Sequence, residues 1–240
     1  MNDLFIRKIE ISWERIDDDS YLRQIPSLAG TDEITFHHPV TFFTGENGSG
    51  KSTLLEAIAV SAGFNPEGGS KNYSFSTYDS HSDLYRALRL IRSPYREDWG
   101  YFLRAESFYN VATMEEEYAK NGTRPSKGYH LMSHGESFLE NAKDSFENRG
   151  LFFLDEPEAA LSQSRQLSMM ALIYDAVKCG SQFFIVTHSP ILLGYPEAEI
   201  LCFDDGPVHP IRYEETDSYR LTKMFLNQRE QVLRNLLEDE

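Results

Sequence analysis

The chain has 240 residues, 40% of them apolar and 13% aromatic, which is enough to bury the core of one large domain or two small ones. Its 23 basic and 38 acidic residues give a net charge of −15. This balance argues against direct binding of nucleic acid or anionic membranes, because both favour a positive protein surface. The longest apolar runs fall far short of the roughly 18 residues that a bilayer span requires, and the N-terminus lacks the pattern of a secretory signal. We therefore expect a soluble, cytoplasmic protein without membrane insertion.

In the first half of the chain, an alternating strand is predicted at residues 4–11 and an apolar strand at 40–44. A helix is expected from residue 52, and another at 83–92. Along that second helix, arginines recur at spacings of three and four, which predicts a basic stripe. The stripe consists of Arg86, Arg89, Arg92 and Arg96. The remaining expected elements are a strand at 99–104, a helix at 107–120 and a loop at 121–130.

In the second half, short apolar runs alternate with helical patterns. Strands are predicted at 151–154, 182–186 and 199–203, a helix at 163–178, and a charged amphipathic helix at 214–240. A further short strand is expected within 207–213. Alternating strands and helices favour a mostly parallel sheet flanked by helices, and therefore an α/β fold.

The most specific motif lies at residues 45–53. It matches the phosphate-loop pattern G-x-x-x-x-G-K-[ST], and it follows an apolar strand and opens a helix. Backbone N–H groups of such a loop bind phosphate oxygens, while Lys51 is predicted to reach the β- and γ-phosphates and Ser52 to bind Mg²⁺. The predicted nucleotide-binding residues are Gly45, Glu46, Asn47, Gly48, Ser49, Gly50, Lys51, Ser52 and Thr53.

Two later segments carry candidate catalytic groups. Asp155 and Glu156 follow an apolar strand, and at the carboxyl edge of a parallel sheet they would face the ligand. Asp155 is predicted to hold Mg²⁺ and Glu156 to polarise the attacking water as general base. His188 ends the next strand and is predicted to sense the γ-phosphate and orient the water. Lys51, Glu156 and His188 are thus the candidate catalytic residues.

A further motif, Ser133-His134-Gly135-Glu136-Ser137, precedes a helical stretch. It offers a hydroxyl, a glycine and a helix N-terminus, which together suit phosphate. By itself it is equally compatible with an ordinary helix cap.

The order and spacing of these motifs resemble the ABC-type ATPase superfamily. Asn47 and the run Asp155-Glu156-Pro157-Glu158 are most similar to its soluble RecF-, SMC- and OLD-like branch, and the whole chain resembles small bacterial ATPases of the AAA/ABC type. The resemblance implies a P-loop NTPase fold with antiparallel N-terminal strands. It also implies one domain over 1–240 with a helical subdomain inserted at about 81–148.

The resemblance further implies that ATP, rather than GTP, is the nucleotide and that two chains close head to head around two ATP molecules. Ser133, Gly135 and Glu136 of one chain would then contact the γ-phosphate bound by Lys51 of the other. Residues 159–162 would form the loop that crosses this interface.

The chain departs from the family pattern where a glutamine normally ligates Mg²⁺. Glu106 stands near that position and is a candidate metal ligand, with a helix-start acid as the alternative. Ser162 replaces the aspartate usual in transporters, and the interval from Lys51 to Ser133 is too short for a coiled-coil arm. For the adenine-stacking aromatic, Tyr21 is the sequence candidate.

The leading hypothesis is a soluble ATP-gated homodimer switch that hydrolyses ATP, with an unknown protein partner. One alternative is the nucleotide-binding subunit of a membrane transporter. Another is a component of DNA repair or phage defence, for which the arginine stripe is the one supporting feature. A protein that binds nucleotide without hydrolysing it is disfavoured, because all the candidate catalytic residues are present.

Overall fold

Strands of two sheets organise the chain in the computed structural model, which describes residues 4–70, 82–104 and 133–237. The strands are β1 (Ile6–Ile11), β2 (Glu33–Thr35), β3 (Val40–Thr44), β4 (Gly69–Ser70), β5 (Leu88–Arg92), β6 (Trp99–Arg104), β7 (Gly150–Asp155), β8 (Gln182–Val186), β9 (Glu199–Cys202) and β10 (His209–Pro210). The helices are α1 (Pro26–Ala29), α2 (Lys51–Ser61), α3 (Leu84–Ala87), α4 (His134–Ser145), α5 (Gln163–Lys178), α6 (Pro190–Leu193) and α7 (Asp217–Leu237).

The main sheet has the strand order β10-β9-β3-β8-β7-β6-β4. Its five inner strands run parallel, and antiparallel strands close both edges. Every residue of β3, β7 and β8 is buried, as expected for parallel strands covered on both faces. Because side chains alternate along a strand, Phe43, Phe153 and Phe184 pack on one face of the sheet. Their neighbours Phe42, Phe152 and Phe183 pack on the other.

The second sheet is small and antiparallel, with the order β2-β1-β5. Its buried residues join the core on the α2 side of the main sheet. The α/β class, the mostly parallel sheet and the antiparallel N-terminal strands were all predicted from the sequence. The strands at 40–44, 99–104 and 182–186 and the helix at 163–178 occur within their predicted bounds.

The prediction of one helix over residues 83–92 is wrong. Residues 84–87 form the single turn α3, and residues 88–92 form β5, which pairs with β1. Tertiary pairing overrides the helical spacing. The backbone of residues 88–92 pairs with the edge of β1, and the side chains of Leu88 and Leu90 pack into the core.

The basic stripe predicted on that helix does not form as one surface. Arg86 pairs with Asp83 at 3.1 Å, Arg89 with Glu10 at 3.5 Å and Arg92 with Glu97 at 3.3 Å. These arginines therefore lie on two different elements and each faces a carboxylate, which removes the basic helix face on which direct DNA binding depended.

The predicted C-terminal helix is present as α7, with non-helical backbone at Gln228. Among the described residues, no helix combines the length and the apolarity needed to cross a bilayer. Of the predicted helical subdomain at about 81–148, residues 105–132 lie outside the described part of the chain, as do the predicted helix at 107–120 and loop at 121–130. The division into one domain with this insertion therefore stays a prediction.

Candidate nucleotide-binding site

The predicted phosphate loop, carboxylates and histidine converge at the carboxyl edge of the main sheet. Strands β3, β7 and β8 are parallel neighbours in the order β3-β8-β7. The phosphate loop follows β3, Asp155 ends β7 and Glu156 comes directly after it, and His188 lies two residues beyond β8. The topology thus places side chains from distant parts of the sequence at one crevice, where open α/β sheets bind ligands.

Glycine backbone gives the phosphate loop its shape. Gly45, Gly48 and Gly50 have φ of +140°, +80° and +96°, which side chains with a Cβ rarely adopt. A Cβ at Gly50 would also lie 2.9 Å from Ile25 and 3.0 Å from Leu28, because α1 packs beneath the loop. The loop then enters α2 at Lys51, so the helix N-terminus faces the site.

The side chain of Lys51 folds back into the phosphate loop that precedes it. Its Nζ donates to the carbonyl oxygens of Gly45 at 2.7 Å and Glu46 at 2.6 Å. Burial lowers the pKa of the Lys51 ammonium from its ordinary value, while the charges of Asp204, Glu156 and Asp155 act in the opposite direction. An ammonium held by neutral carbonyls can exchange them for the stronger acceptor that a phosphate oxygen provides.

The predicted metal ligands Ser52 and Asp155 are in direct contact. The Ser52 hydroxyl donates to Asp155 Oδ1 at 2.8 Å, and Asp155 is buried. A hydroxyl and a carboxylate oxygen fit Mg²⁺, which uses few protein oxygens together with phosphate and water oxygens. Among the described residues, no group of three or more His, Cys, Asp or Glu side chains could hold a metal. Water or phosphate oxygens would supply the remaining ligands of a metal held by Ser52 and Asp155.

Arg104 was not predicted as part of the site, yet it lies 3.3 Å from Asp155 Oδ2. The parallel register of β6 and β7 pairs the two residues directly. The sequence feature that could have identified Arg104 is its position at the end of an apolar strand, next to a strand that ends in a carboxylate.

Glu156 and His188 face each other beyond the strand ends. Glu156 has φ of +48°, and its N–H donates to the Val186 carbonyl at 3.0 Å, which fixes the turn after β7 to the end of β8. His188 Nε2 lies 3.8 Å from Glu156 Oε1. The two predicted catalytic side chains are therefore neighbours, with 44% and 40% of their respective side chains exposed.

Glu158, which was quoted only as part of a motif, positions His188. Its Oε1 accepts the His188 main-chain N–H at 2.6 Å. Burial raises the pKa of the Glu158 carboxyl. This bond joins the turn after β7 to His188. Together with the Glu156–Val186 bond, it fixes the positions of Glu156 and His188 relative to each other.

A pH-dependent stability is expected from His188. Burial, followed by the charge of Lys51, lowers the pKa of His188 below its ordinary 6.5. The unfolded chain then takes up a proton below pH 6.5 more readily than the folded one, so the stability due to neutral His188 is lost as pH falls through that range. Wild-type protein should lose more thermal stability than His188→Gln between pH 7.5 and 5.5. The difference should be below about 1 kcal/mol, since water screens an exposed imidazole. Equal losses in both proteins would contradict the lowered pKa.

A cavity of about 640 Å³ opens beside these groups. It is lined by the start of the phosphate loop, by Glu156 and His188, by residues after β9 and by the first turn of α7. Asp204 belongs to this wall and accepts the Glu46 N–H at 2.8 Å. Asp204 was also missed, although it follows a parallel strand at the same carboxyl edge as Asp155 and His188, which is the signal that could have identified it.

The predicted signature residues lie at the start of α4, and Ser133 and Glu136 are exposed there. The Ser133 hydroxyl and N–H both donate to Glu136 Oε2, at 2.7 and 3.2 Å. These bonds lower the pKa of Glu136 and make it a cap for its own helix. Gly135 fits closely between Arg165 and the Ala160 carbonyl, where a Cβ would lie within 2.8 Å of each.

Two sequence candidates gain no support from contacts. Glu106 lies outside the described residues. Tyr21 is 55% exposed at the start of a 3₁₀ helix (Tyr21–Gln24), which leads into the α1 segment beneath the phosphate loop. Its stacking role remains a prediction.

Comparison with known proteins agrees with this geometry. The profile of a family described as AAA domain matches residues 21–127, which is less than half of the chain. No curated protein matches the sequence. Among solved structures, the chain is similar to cbiO1 from Clostridium perfringens, part of the ABC transporter complex cbiONQ. That similarity has a TM-score of 0.55 at 16% identity and covers 99% of this chain and 100% of that chain.

Two further structures are similar. One is an ATP binding subunit of an ABC transporter, with a TM-score of 0.50, 14% identity and coverage of 88% of this chain and 91% of that one. The other is the SMC head domain from Thermotoga maritima, with a TM-score of 0.47, 14% identity and coverage of 87% and 99%.

The chain therefore has the P-loop fold of ABC-type ATPase domains. This confirms the predicted fold class, and it confirms the resemblance stated from the motifs at the level of the fold. The roles of individual residues are a separate matter, because a fold alone does not define a function.

Proposed function

We propose that this chain is a soluble, cytoplasmic ATPase in which ATP closes a homodimer and hydrolysis opens it. The observation that carries the proposal is the contrast between two groups of motif residues. Ser52 contacts Asp155 and His188 lies beside Glu156 at the carboxyl edge of the sheet, while Ser133 is exposed at the start of α4 and bonds to Glu136. We infer that Ser133 contacts a γ-phosphate held by a second chain.

The chemistry proposed for the first group of residues follows from its contacts. The loop N–H groups and Lys51 bind the phosphates, and Ser52 and Asp155 hold Mg²⁺, which neutralises charge on the phosphates when bound. Glu156 accepts a proton from the attacking water. His188, uncharged at neutral pH, is held by Glu158 where it can orient that water or the γ-phosphate.

The second group of residues would complete the site in trans. The Ser133 hydroxyl and the first N–H groups of α4 suit a phosphate oxygen. Glu136 now accepts from Ser133, so closure would require this bond to give way to a phosphate contact. Because each chain carries −15, the two chains repel each other, and closure should depend strongly on nucleotide and Mg²⁺.

Light scattering tests this proposal on Glu156→Gln, which should retain ATP for lack of a general base. We expect a monomer without nucleotide and a dimer with Mg-ATP, because the bridging γ-phosphate provides the differential contact between the two states. The double variant Lys51→Ala/Glu156→Gln is the control and should stay monomeric.

Ser133→Arg in the same background separates the two groups of residues. It should bind Mg-ATP and remain a monomer, because the exposed Ser133 acts only on the other chain's nucleotide. A Glu156→Gln protein that stays monomeric at saturating Mg-ATP would contradict the homodimer.

Two alternatives are weighed against this function. The fold similarity to a subunit of an ABC transporter complex keeps open a transporter subunit, which would co-purify with a membrane protein. A DNA-linked role is weaker, since three of the four arginines that favoured it, Arg86, Arg89 and Arg92, are paired with carboxylates.

A further inference from the structure

Three contacts link four residues at the predicted metal site into a ring that the backbone of α2 closes: Ser52, Asp155, Arg104 and Glu56. The Ser52 hydroxyl donates to Asp155 Oδ1 at 2.8 Å, and Arg104 Nη2 lies 3.3 Å from Asp155 Oδ2. Arg104 Nη1 then donates to Glu56 Oε2 at 2.8 Å. Ser52 and Glu56 are four residues apart on α2 and share one face of that helix. One face of α2 therefore meets the paired ends of β6 and β7.

Within the ring, Asp155 faces both the Ser52 hydroxyl and the Arg104 guanidinium. One carboxylate oxygen accepts from the hydroxyl that is predicted to ligate Mg²⁺, and the other faces a guanidinium. All three charged side chains are largely buried, with 10% of Asp155, 14% of Glu56 and 20% of Arg104 exposed. Charges in such surroundings are weakly screened, so a divalent cation at Asp155 would meet both the competition and the repulsion of Arg104.

The Arg104 guanidinium also has partners other than Asp155. Its Nη1 donates to the Pro66 carbonyl at 2.9 Å as well as to Glu56, and its guanidinium lies 5.4 Å from the Phe102 ring centroid. The guanidinium would thus keep a carboxylate and a carbonyl partner if Asp155 turned toward a metal.

We propose that Arg104 is a positioning residue that acts as an exchangeable counter-charge at the metal site. It holds Asp155 in place and gives this carboxylate up to a divalent cation, while Glu56 retains the guanidinium. The inference rests on the proposed function in one respect, namely that Asp155 binds the metal. It adds that the affinity for the metal depends on how Arg104 distributes its contacts between the carboxylates of Asp155 and Glu56.

The proposal predicts opposite effects from the two neighbours. Arg104→Gln removes the competing charge and should tighten the binding of Mn²⁺ alone by about tenfold or more, the size of effect that a nearby charge has on a carboxylate. Glu56→Gln leaves Asp155 as the remaining carboxylate of the ring for Arg104 and should weaken Mn²⁺ binding by several-fold. A purely structural role for the ring would weaken binding in both variants.

The measurement is the electron paramagnetic resonance signal of free Mn²⁺, titrated with each protein without nucleotide at about 0.15 M salt, which screens loose binding to an acidic surface. Arg89→Gln is the matched control, because it also removes an arginine charge, in this case from the ion pair between Arg89 of β5 and Glu10 of β1. Its affinity should equal that of wild-type protein.

Thermal unfolding gives a second readout. Mn²⁺ should raise the melting temperature of Arg104→Gln more than that of wild-type protein, because tighter binding to the folded state stabilises it more. If Arg104→Gln does not fold, Arg104→Met, which also removes the charge but keeps an apolar stem, replaces it in the comparison, because weaker binding by Glu56→Gln alone would fit both roles. Unchanged or tighter binding by Glu56→Gln, or unchanged or weaker binding by Arg104→Gln, overturns the counter-charge role.

A separate variant tests the premise. Asp155→Asn should abolish the specific Mn²⁺ binding of Arg104→Gln. If the double variant binds as Arg104→Gln does, the metal role of Asp155 in the proposed function fails. An effect of Asp155→Asn without the opposite shifts of the two ring variants instead preserves that role and sinks only the inference about Arg104.

Discussion

Lys51→Ala is expected to abolish ATP binding at concentrations that saturate wild-type protein. The substitution removes a positive charge from the centre of the phosphate loop, where Nζ now donates to Gly45 and Glu46. Each charge-assisted hydrogen bond to phosphate contributes about 1.5–3 kcal/mol. Loss of two such bonds corresponds to roughly a hundredfold to ten-thousandfold weaker binding. Fluorescence titration with a labelled ATP analogue measures this directly.

The controls for Lys51→Ala must distinguish the loss of a positive charge from a change in the structure of the phosphate loop. Lys143→Ala removes the same charge from an exposed pair with Glu140 on α4 and should bind ATP as wild type does. Because Lys51 is buried and bonded to the loop, thermal unfolding of Lys51→Ala is needed to show that the fold persists. A folded Lys51→Ala protein with near-normal affinity would place the nucleotide elsewhere.

The site elements that the sequence predicted are those encoded by local chemistry. The phosphate loop has a fixed spacing and requires glycine at positions with positive φ, such as Gly50. Asp155 and His188 follow apolar strands, and parallel topology brings such strand ends to one edge without further information. Their convergence could therefore be predicted from strand positions alone.

The contacts that were missed depend on register and on neighbours distant in sequence. Arg104 meets Asp155 because β6 and β7 pair in one particular register, and no local pattern specifies that register. The strand β5 was read as part of a helix because its arginines recur at helical spacings, and its pairing with β1 overrides that pattern. In both cases a long-range backbone pairing supplies the missing information.

The trans-acting role proposed for Ser133 depends on information that its motif does not carry. Its motif predicted a helix start, and α4 begins there with Ser133 as its N-cap and Glu136 accepting the Ser133 N–H. A capped helix and a phosphate-binding helix have the same sequence signature. Ser133 is exposed, as contact with a second chain requires, and a change of oligomeric state with ATP tests that contact.

Glu156→Gln is expected to keep ATP binding and to lower turnover by roughly 10²- to 10⁴-fold, the usual size of the loss of a general base. The amide preserves the volume of the side chain but does not accept a proton from water. The backbone should be retained, because the turn is fixed by the Glu156 N–H bond to Val186, which does not involve the side chain. Steady-state phosphate release and equilibrium ATP binding, measured on the same preparation, give the two quantities.

Asp205→Asn is the matched control for this experiment. Asp205 lines the same cavity, also has positive φ at +59°, and loses the same charge on substitution to an amide. A general lowering of negative charge beside the phosphates would affect both variants alike and would tighten ATP binding in each. A specific loss of turnover in Glu156→Gln alone assigns proton transfer to Glu156. Equal turnover in Glu156→Gln and wild-type protein would instead require another base, and Glu158, buried with a raised pKa and bonded to His188, would be the next carboxylate to replace.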